Sequence, residues 1–335
     1  MIKDFFEVPD YYPAFHCKGK DCRNCCCQGW KITLTQDEYF RLQSIDCSKE
    51  MKDKIEAYVS VLPHPNMDEY ARINFNYLGA CPLRLENGYC GLQVECGEEN
   101  IPSVCRYYPR SPRLYPKKEC CISSSCEWVV ERMIGQKGPF HTISKELSFL
   151  FEDDEKKEEI PENYTSIRKH CIEILEEGKG LKEKLIEIIS YMKDDVSVLT
   201  IENISSILME IRKDYARSVS IASYLEDIKQ DKSMDEILSL LHQQNQETET
   251  WISKVLVNHL FYMKFPFLPL KDRKDVSLAL YLMVYLYLEI LFYSWKGDKN
   301  GFVDITSAFF RVGEHSNIYE VILFHLHRLQ QLKQA

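Results

Sequence analysis

The distribution of cysteine is the feature that most constrains the fold of this chain. Thirteen of its fourteen cysteines lie between Cys17 and Cys126, and Cys171 alone lies outside that range. Turn-forming sequences recur in the same region, at "LPHPN" (62–66), "ENG" (86–88) and "QKGP" (136–139), and they interrupt any long periodic segment. We therefore predict that residues 1–150 form an irregular, cysteine-rich region that metal binding organises.

Two short helices are predicted inside this region. Thr35 and Glu38 have the T-x-x-E spacing of a capping box, which predicts a helix over about 35–45. A second helix is predicted over about 49–60.

The second half of the sequence has the periodicity of α-helices. Apolar residues recur every three or four positions from Ile167 to Leu175, and again from Leu181 to Met192. Cys171 falls on this apolar face, so we predict a core residue and not a ligand. Further helices are predicted over five ranges: 201–229, 233–245, 248–264, 272–295 and 303–333.

A charged run, "EDDEKKEE" (152–159), followed by Pro161, separates the two halves of the sequence. Such a run is typical of a solvated boundary. We predict a mainly α fold, in which the cysteine-rich region (1–150) packs on an all-α helical bundle (160–335).

The segment 276–295 is apolar on nearly every helical face. A helix of this kind is either the central helix of a bundle or a membrane segment. It contains Glu289 and several tyrosines whose hydroxyl groups need partners, so we predict a buried core helix. Peripheral membrane contact and a true membrane span are the alternatives.

Composition limits the compartment and the partners. The chain has 335 residues and a formal net charge of -9, which argues against nucleic acid, because phosphate binding needs a basic face. The first residues, "MIKDFFEVPDYY", lack the apolar core of a signal peptide, so we expect a cytoplasmic protein. In a reducing cytosol, clustered cysteines more often bind metal or do redox chemistry than form disulfides.

The thiols occur in groups beside turns, and the "ENG" turn between Cys81 and Cys90 would let both thiols face one site. Clustered thiolates select zinc, iron–sulfur clusters or copper(I). The paired C-x2-C of zinc ribbons is absent. Cys22 and Cys25 begin a ferredoxin-like run, but Cys26 and Cys27 directly follow Cys25 and break it. A metal site is the favoured interpretation; buried reduced cysteines and disulfides are the alternatives. The candidate ligands beside these turns are Cys17, Cys22, Cys25, Cys26, Cys27, Cys81, Cys90, Cys105 and Cys126.

Six stretches together carry a resemblance to a known family. They are "AFHCKGKDCRNCCCQGWKI" (14–32), "CPLRLENGYCGLQ" (81–93), "GEENIPSVCRYYPR" (97–110), "SSSCEW" (123–128), "VNHLFYMKFPF" (257–267) and "FFRVGEHSNIY" (309–319). They resemble the flagellin lysine-N-methylase family, within a wider group of cysteine-rich proteins described as zinc- or iron-chelating. The resemblance covers about residues 10–320.

The resemblance implies a function, cofactors and ligands. It implies methyl transfer from S-adenosylmethionine to lysine side chains of flagellin, with an oxygen-sensitive [4Fe–4S] cluster; zinc is the alternative metal. The implied ligands are Cys17, Cys22, Cys26, Cys27, Cys81, Cys90, Cys105 and Cys126. The remaining thiols of the region stand where the family has other residues, so the resemblance implies that they are spare thiols and not ligands. They are Cys25, Cys47, Cys96, Cys120 and Cys121.

The mechanism stays open at the level of the sequence. The C-x3-C-x2-C loop of radical S-adenosylmethionine enzymes is absent, because Gly29 stands where its third cysteine would be. No glycine-rich turn follows a strand as in a Rossmann-type methyltransferase. A chelating or sensing protein and a structural zinc module are therefore the alternative functions.

Other polar residues of these stretches are weaker candidates. Arg106 and Arg110 could pair with a carboxylate of substrate or cofactor, or neutralise cluster charge. The others are predicted to make packing contacts or structural hydrogen bonds, and they are Tyr107, Tyr108, Asn258, His259, Glu314 and His315.

Overall fold

The computed structural model describes residues 2–28, 30, 32–149, 161, 163–268, 270 and 273–334. The chain forms two compact units. One comprises His16–Pro109, and the other comprises Met1–Phe15 with Arg110–Ala335. The boundary predicted at 150–160 lies outside the described residues and stays a prediction.

The strands are short and belong to two sheets, one in each unit. They are β1 (Ile2–Pro9), β2 (Ile32–Leu34), β3 (Val59–Val61), β4 (Ala71–Ile73), β5 (Arg110–Arg113), β6 (Glu119–Ile122) and β7 (Thr142–Phe149). The α-helices are α1 (Gln36–Ser44), α2 (Lys49–Tyr58), α3 (Gly91–Cys96), α4 (Ser103–Tyr107), α5 (Glu127–Gly135), α6 (Tyr164–Glu176), α7 (Leu181–Met192), α8 (Ile201–Asp214), α9 (Ala222–Glu226), α10 (Met234–Gln244), α11 (Thr248–Tyr262), α12 (Val276–Ser294), α13 (Lys299–His315) and α14 (Ile318–Gln334).

The His16–Pro109 unit has a three-stranded antiparallel sheet in the order β2-β4-β3, with α1 to α4 around it. Thr35 caps α1, because its side chain accepts from the backbone N–H of Glu38 while the Glu38 carboxylate accepts from that of Thr35. The core includes Leu34, Met51 and Leu83, each about 1% exposed or less. The predicted helices α1 and α2 are both present.

The other unit contains a four-stranded sheet in the order β5-β6-β1-β7. β1 pairs antiparallel with β7 along its whole length, from Ile2 opposite Phe149 to Pro9 opposite Thr142. β1 also pairs in parallel with β6, at Glu7 and Glu119. The expectation of an irregular first half is therefore corrected, because it contains two sheets.

From residue 161 onward, the described residues contain helices and no strand. The helical second half is thus as predicted. Two predicted helices are divided, however. The range 201–229 holds α8 and α9, since the apolar periodicity of α8 stops at Ile211, and the range 303–333 holds the end of α13 and most of α14, which meet at Ser316 and Asn317.

α12 is the centre of the bundle. Every residue from Val276 to Leu291 is buried, and α10, α13 and α14 pack against the helix. Two of its buried tyrosine hydroxyls find partners as expected: Tyr287 pairs with Thr306 at 2.5 Å, and Tyr285 donates to the carbonyl of Lys232. The predicted core helix is therefore confirmed.

Length and composition alone would allow α12 to cross a membrane, and no other helix in the described ranges meets that test. However, 89% of its most apolar stretch is buried inside the protein. Peripheral membrane contact stays an alternative.

Candidate metal centre and a buried polar network

The loop that carries Cys17 and Cys22 lies against the turn that precedes Cys90. Gly19 has φ +58°, and a Cβ there would lie 2.9 Å from the ring of Tyr89. Gly88, with φ +89°, approaches the backbone of Lys20 in the same way, so that a Cβ would lie 3.2 Å from its Cα. Glycine is favoured at both positions by the left-handed backbone and the close contact.

Backbone pairing brings three cysteine motifs of this unit together. The N–H of Cys81 donates to the carbonyl of Cys27 at 2.8 Å, and Gln28 pairs with Ala80. Arg84 pairs with Cys90 across the "ENG" turn. This pairing agrees with the expectation that the turn lets the thiols of Cys81 and Cys90 face one site.

The three consecutive thiols hydrogen-bond to one another. Hydrogen bonds from Cys26 and Cys27 lower the pKa of Cys25, and the nearby Arg84 guanidinium acts in the same direction. The pKa of Cys26 is raised by its hydrogen bonds to Cys25 and Cys27 and by burial. Cys25 was predicted to be a spare thiol, yet the structure places it in direct contact with two predicted ligands.

Three further thiols lie within electrostatic range of this group. Burial raises the pKa of Cys81 to about 11, and the charges of Cys90 and Cys25 add to the shift. Burial also raises the pKa values of Cys90 and Cys105, and Cys105 is influenced by Cys27, Cys81 and Cys90. We call the set of six the thiol cluster: Cys25, Cys26, Cys27, Cys81, Cys90 and Cys105.

The thiol cluster has the donor chemistry of a soft-metal site. Its sulfur atoms are buried or half-buried, and burial disfavours thiolates that have no cation beside them. In the described part of the chain, however, no group of three or more His, Cys, Asp or Glu side chains is arranged as a metal site. The predicted set of eight ligands is therefore not tested and stays a prediction.

The three remaining predicted ligands are not part of the thiol cluster. Cys17 is exposed and Cys22 is half-buried, and they flank the short 3-10 turn Gly19–Asp21. Cys126 belongs to the other unit, where it precedes the first turn of α5.

The other spare thiols have separate surroundings. Cys47 and Cys96 hydrogen-bond to each other in the His16–Pro109 unit. Cys120 and Cys121 are buried in β6 of the other unit. Cys171 is fully buried in α6, as predicted for a core residue.

The cationic and aromatic residues after Cys105 are engaged with rings. Arg106 lies over Tyr107 at 5.3 Å, and Tyr108 packs against Trp30 with centroids 5.7 Å apart. Arg110 belongs to the other unit, where it lies over the ring of Phe15 at 4.9 Å.

A buried polar network in the larger unit joins the "SSSCEW" and "FFRVGEHSNIY" stretches. Ser123 donates to the Glu314 carboxylate at 2.6 Å, and the backbone N–H of Ser124 donates to the same oxygen at 2.8 Å. The hydroxyls of Ser123 and Ser125 both lie 2.9 Å from Nε2 of His315. Partial desolvation lowers the pKa of His315, which favours its neutral form.

The "VNHLFYMKFPF" stretch joins the same network through two adjacent residues of α11. Asn258 donates to the Ser124 hydroxyl and to the Ile122 carbonyl, each at 2.9 Å, and it accepts from Tyr11. His259, which has no exposed surface, lies between Glu314 at 3.2 Å and the Tyr319 hydroxyl at 2.9 Å.

Asn258, His259, Glu314 and His315 were predicted to make packing contacts or structural hydrogen bonds. The structure shows one continuous network. The signal that could have revealed it was the occurrence of its residues in three of the six stretches that carry the resemblance.

Comparisons with known proteins give distant relatives. No family model matches the chain, and no solved structure matches it. The chain is 23% identical over 216 residues to a protein named Lysine-N-methylase from Salmonella typhimurium, which covers 60% of this chain and 52% of that protein. A protein of the same name from Salmonella choleraesuis matches to the same extent.

A third relative is named for the flagellum. The Flagellar biosynthetic protein FliU of Salmonella muenchen is 28% identical over 131 residues, which is 38% of this chain and 75% of that protein. The chain spans about half the length of the Lysine-N-methylases that it matches. The resemblance found in the sequence is confirmed at this distant level.

Proposed function

Taking the chain as a distant relative of the lysine-N-methylases, we propose that it is a methyltransferase that acts on lysine side chains of flagellin. The observation that carries the proposal is the match to proteins of that name. The name of the FliU relative supports a flagellar substrate. The motifs that carry the resemblance also come together within each unit, in the thiol cluster and in the buried polar network.

The proposed methyl donor is S-adenosylmethionine. In a polar transfer, the methyl carbon would leave the sulfonium, whose sulfur would keep the electron pair, and the lysine nitrogen would supply the pair for the new C–N bond. A lysine ammonium has no such pair, so the amine must lose a proton before transfer. The acidic chain, with a formal net charge of -9, would favour a lysine-bearing surface, and added salt would weaken that attraction.

We further propose that the predicted cysteines hold a [4Fe–4S] cluster. The thiol cluster contributes five of the eight predicted ligands (Cys26, Cys27, Cys81, Cys90 and Cys105), and Cys25 adds a sixth thiol beside them. Soft, partly buried sulfur donors fit such a group, and zinc is the alternative. When bound, an iron–sulfur cluster would supply redox chemistry that zinc does not. A reducing cytosol, the proposed location, would keep these thiols available.

The test is methyl transfer from labelled S-adenosylmethionine to purified flagellin. Protein reconstituted anaerobically with iron and sulfide should label flagellin lysines. Cys26→Ser should abolish the label. Cys171→Ser should retain it, because Cys171 is a core residue of α6 and not a predicted ligand. Equal activity of a zinc-loaded form would remove the cluster from the mechanism. Absence of transfer by fully reconstituted protein would favour a metal-chelating or sensing role.

A further inference from the structure

A cavity of about 440 Å³ lies in the larger unit, apart from the residues of the polar network except for Tyr11. α5, the C-terminal end of α6, α7 and α11 form its walls. Its volume falls in the range of small-molecule sites, about 300–1,000 Å³. Met133, Leu175 and Val257 provide buried apolar surface inside it.

A buried ammonium group faces this cavity. Lys184 of α7 is 6% exposed, and its Nζ donates to the Ser253 hydroxyl at 3.1 Å. No carboxylate of the described residues lies within 4.0 Å of that nitrogen. An ammonium has three N–H donors, so two of those of Lys184 have no protein acceptor among the described residues. A buried charge with an incomplete set of partners favours an anionic ligand.

Part of the lining is negative, and its carboxylates, together with Glu249, lie within electrostatic range of Lys184. Glu176 and Glu177 stand at the C-terminal end of α6, where the helix dipole favours a cation. Glu176 already accepts from the backbone N–H of Phe140, whereas Glu177 is exposed and pairs with Lys179 at the surface. The cavity thus combines a buried ammonium, carboxylates near it and apolar surface.

We propose that this cavity binds a small molecule with an α-amino carboxylate, whose carboxylate pairs with Lys184 and whose amine lies at the end of α6 near Glu177. S-adenosylmethionine and free amino acids share that group. The assignment to S-adenosylmethionine in particular rests on the proposed function. Binding of a free amino acid does not depend on it.

The test is calorimetric titration with four ligands: S-adenosylmethionine, S-adenosylhomocysteine, methionine, and methylthioadenosine, which lacks the amino-acid group. At least one of the first three should bind, and methylthioadenosine should bind at least about tenfold more weakly, as expected for loss of charge-assisted hydrogen bonds. Preference for the two sulfur nucleosides over methionine would identify the methyl donor. Preference for methionine would identify a free amino acid.

Lys184→Met retains the aliphatic chain and removes the charge, so binding should weaken at least about tenfold. Lys182→Met is the matched control on the same helix, because Lys182 pairs with Asp235 at the surface and does not line the cavity. If Lys184→Met does not fold, Glu177→Gln decides, since an exposed side chain tolerates that change, and it should weaken binding several-fold.

Undiminished affinity in Lys184→Met, or equal binding of methylthioadenosine, would overturn the proposal. Failure of the proposed function gives a different result. If ligand binding depends on Lys184 but flagellin is not methylated, the binding site is supported and the proposed function is not. If flagellin is methylated equally well by Lys184→Met, the proposed function is supported and this cavity is excluded as the site of the methyl donor.

Discussion

Replacing Glu289 by glutamine should change how the stability of the protein depends on pH. Glu289 lies in the central helix α12, and its side chain is 1% exposed. Neither carboxylate oxygen has a hydrogen-bond partner within the described part of the chain. Arg212 lies 3.7 Å away but also pairs with Asp231 at 2.7 Å, so its charge is shared.

Burial raises the pKa of Glu289 from 4.5 to about 7. Between these values the folded protein holds a proton on Glu289 that the unfolded chain has lost, so the free energy of unfolding falls as pH rises. The stability that protonated Glu289 retains is fully present below pH 4.5 and is lost as pH rises through about 7, where the buried carboxyl ionises. At about 1.4 kcal/mol per pH unit, the loss amounts to about 3 kcal/mol.

Glu289→Gln carries no titrating group, so this part of the pH dependence should disappear. The free energy of unfolding, measured by urea titration, should favour the variant by about 2–3 kcal/mol at about pH 8, and by less than about 1 kcal/mol at about pH 5. Glu320→Gln, at an exposed position of α14, is the control and should keep the wild-type dependence. If Glu289→Gln also keeps it, a different group or a solvated carboxylate must be responsible.

Three further outcomes are expected. Glu119→Gln breaks the two-point ion pair with Arg168, whose partners are both buried, so urea titration should show a loss of about 3–5 kcal/mol; a loss below about 1 kcal/mol would mean that the pair is solvated. Thr35→Ala removes the α1 cap and should lower the free energy of unfolding by about 1 kcal/mol, and an unchanged value would show that the cap is not needed. Metal analysis after anaerobic purification should find a loss of metal from Cys26→Ser but not from Cys171→Ser, and the reverse pattern would refute the ligand assignment.

The helices could be predicted from the sequence because the information that specifies them is local. The capping box at Thr35 and the apolar period from Leu181 to Met192 each act within a few residues, and α1 and α7 formed accordingly. The breaks between α8 and α9 and between α13 and α14 were missed, since each lies in a short polar interruption of an otherwise helical segment.

The strands could not be predicted in the same way. β1 pairs with β7 across more than a hundred residues of sequence, so neither strand contains a local pairing signal. β2, β3 and β4 are three residues long, too short for an alternating pattern. β6 is buried on both faces, and its Cys120 and Cys121 read as thiols of the cysteine-rich region and not as strand core.

The candidate site was partly visible in the sequence. The turn "ENG" indicated that the thiols of Cys81 and Cys90 face one site, and both belong to the thiol cluster. Cys25 was a candidate ligand from its place beside the turns, but the resemblance left it out, because the family has another residue there. The network of Ser123 and Glu314 joins residues 191 positions apart, and only the fold brings them together.

The most direct test of the proposed activity is mass spectrometry of flagellin that is co-expressed with this protein. Peptide mapping should find methyl groups on flagellin lysines when the wild-type protein is present and none when Cys26→Ser replaces it at equal abundance. Unmodified lysines in both samples, with the wild-type protein folded and loaded with iron, would contradict the assignment of this chain as a flagellin lysine methyltransferase.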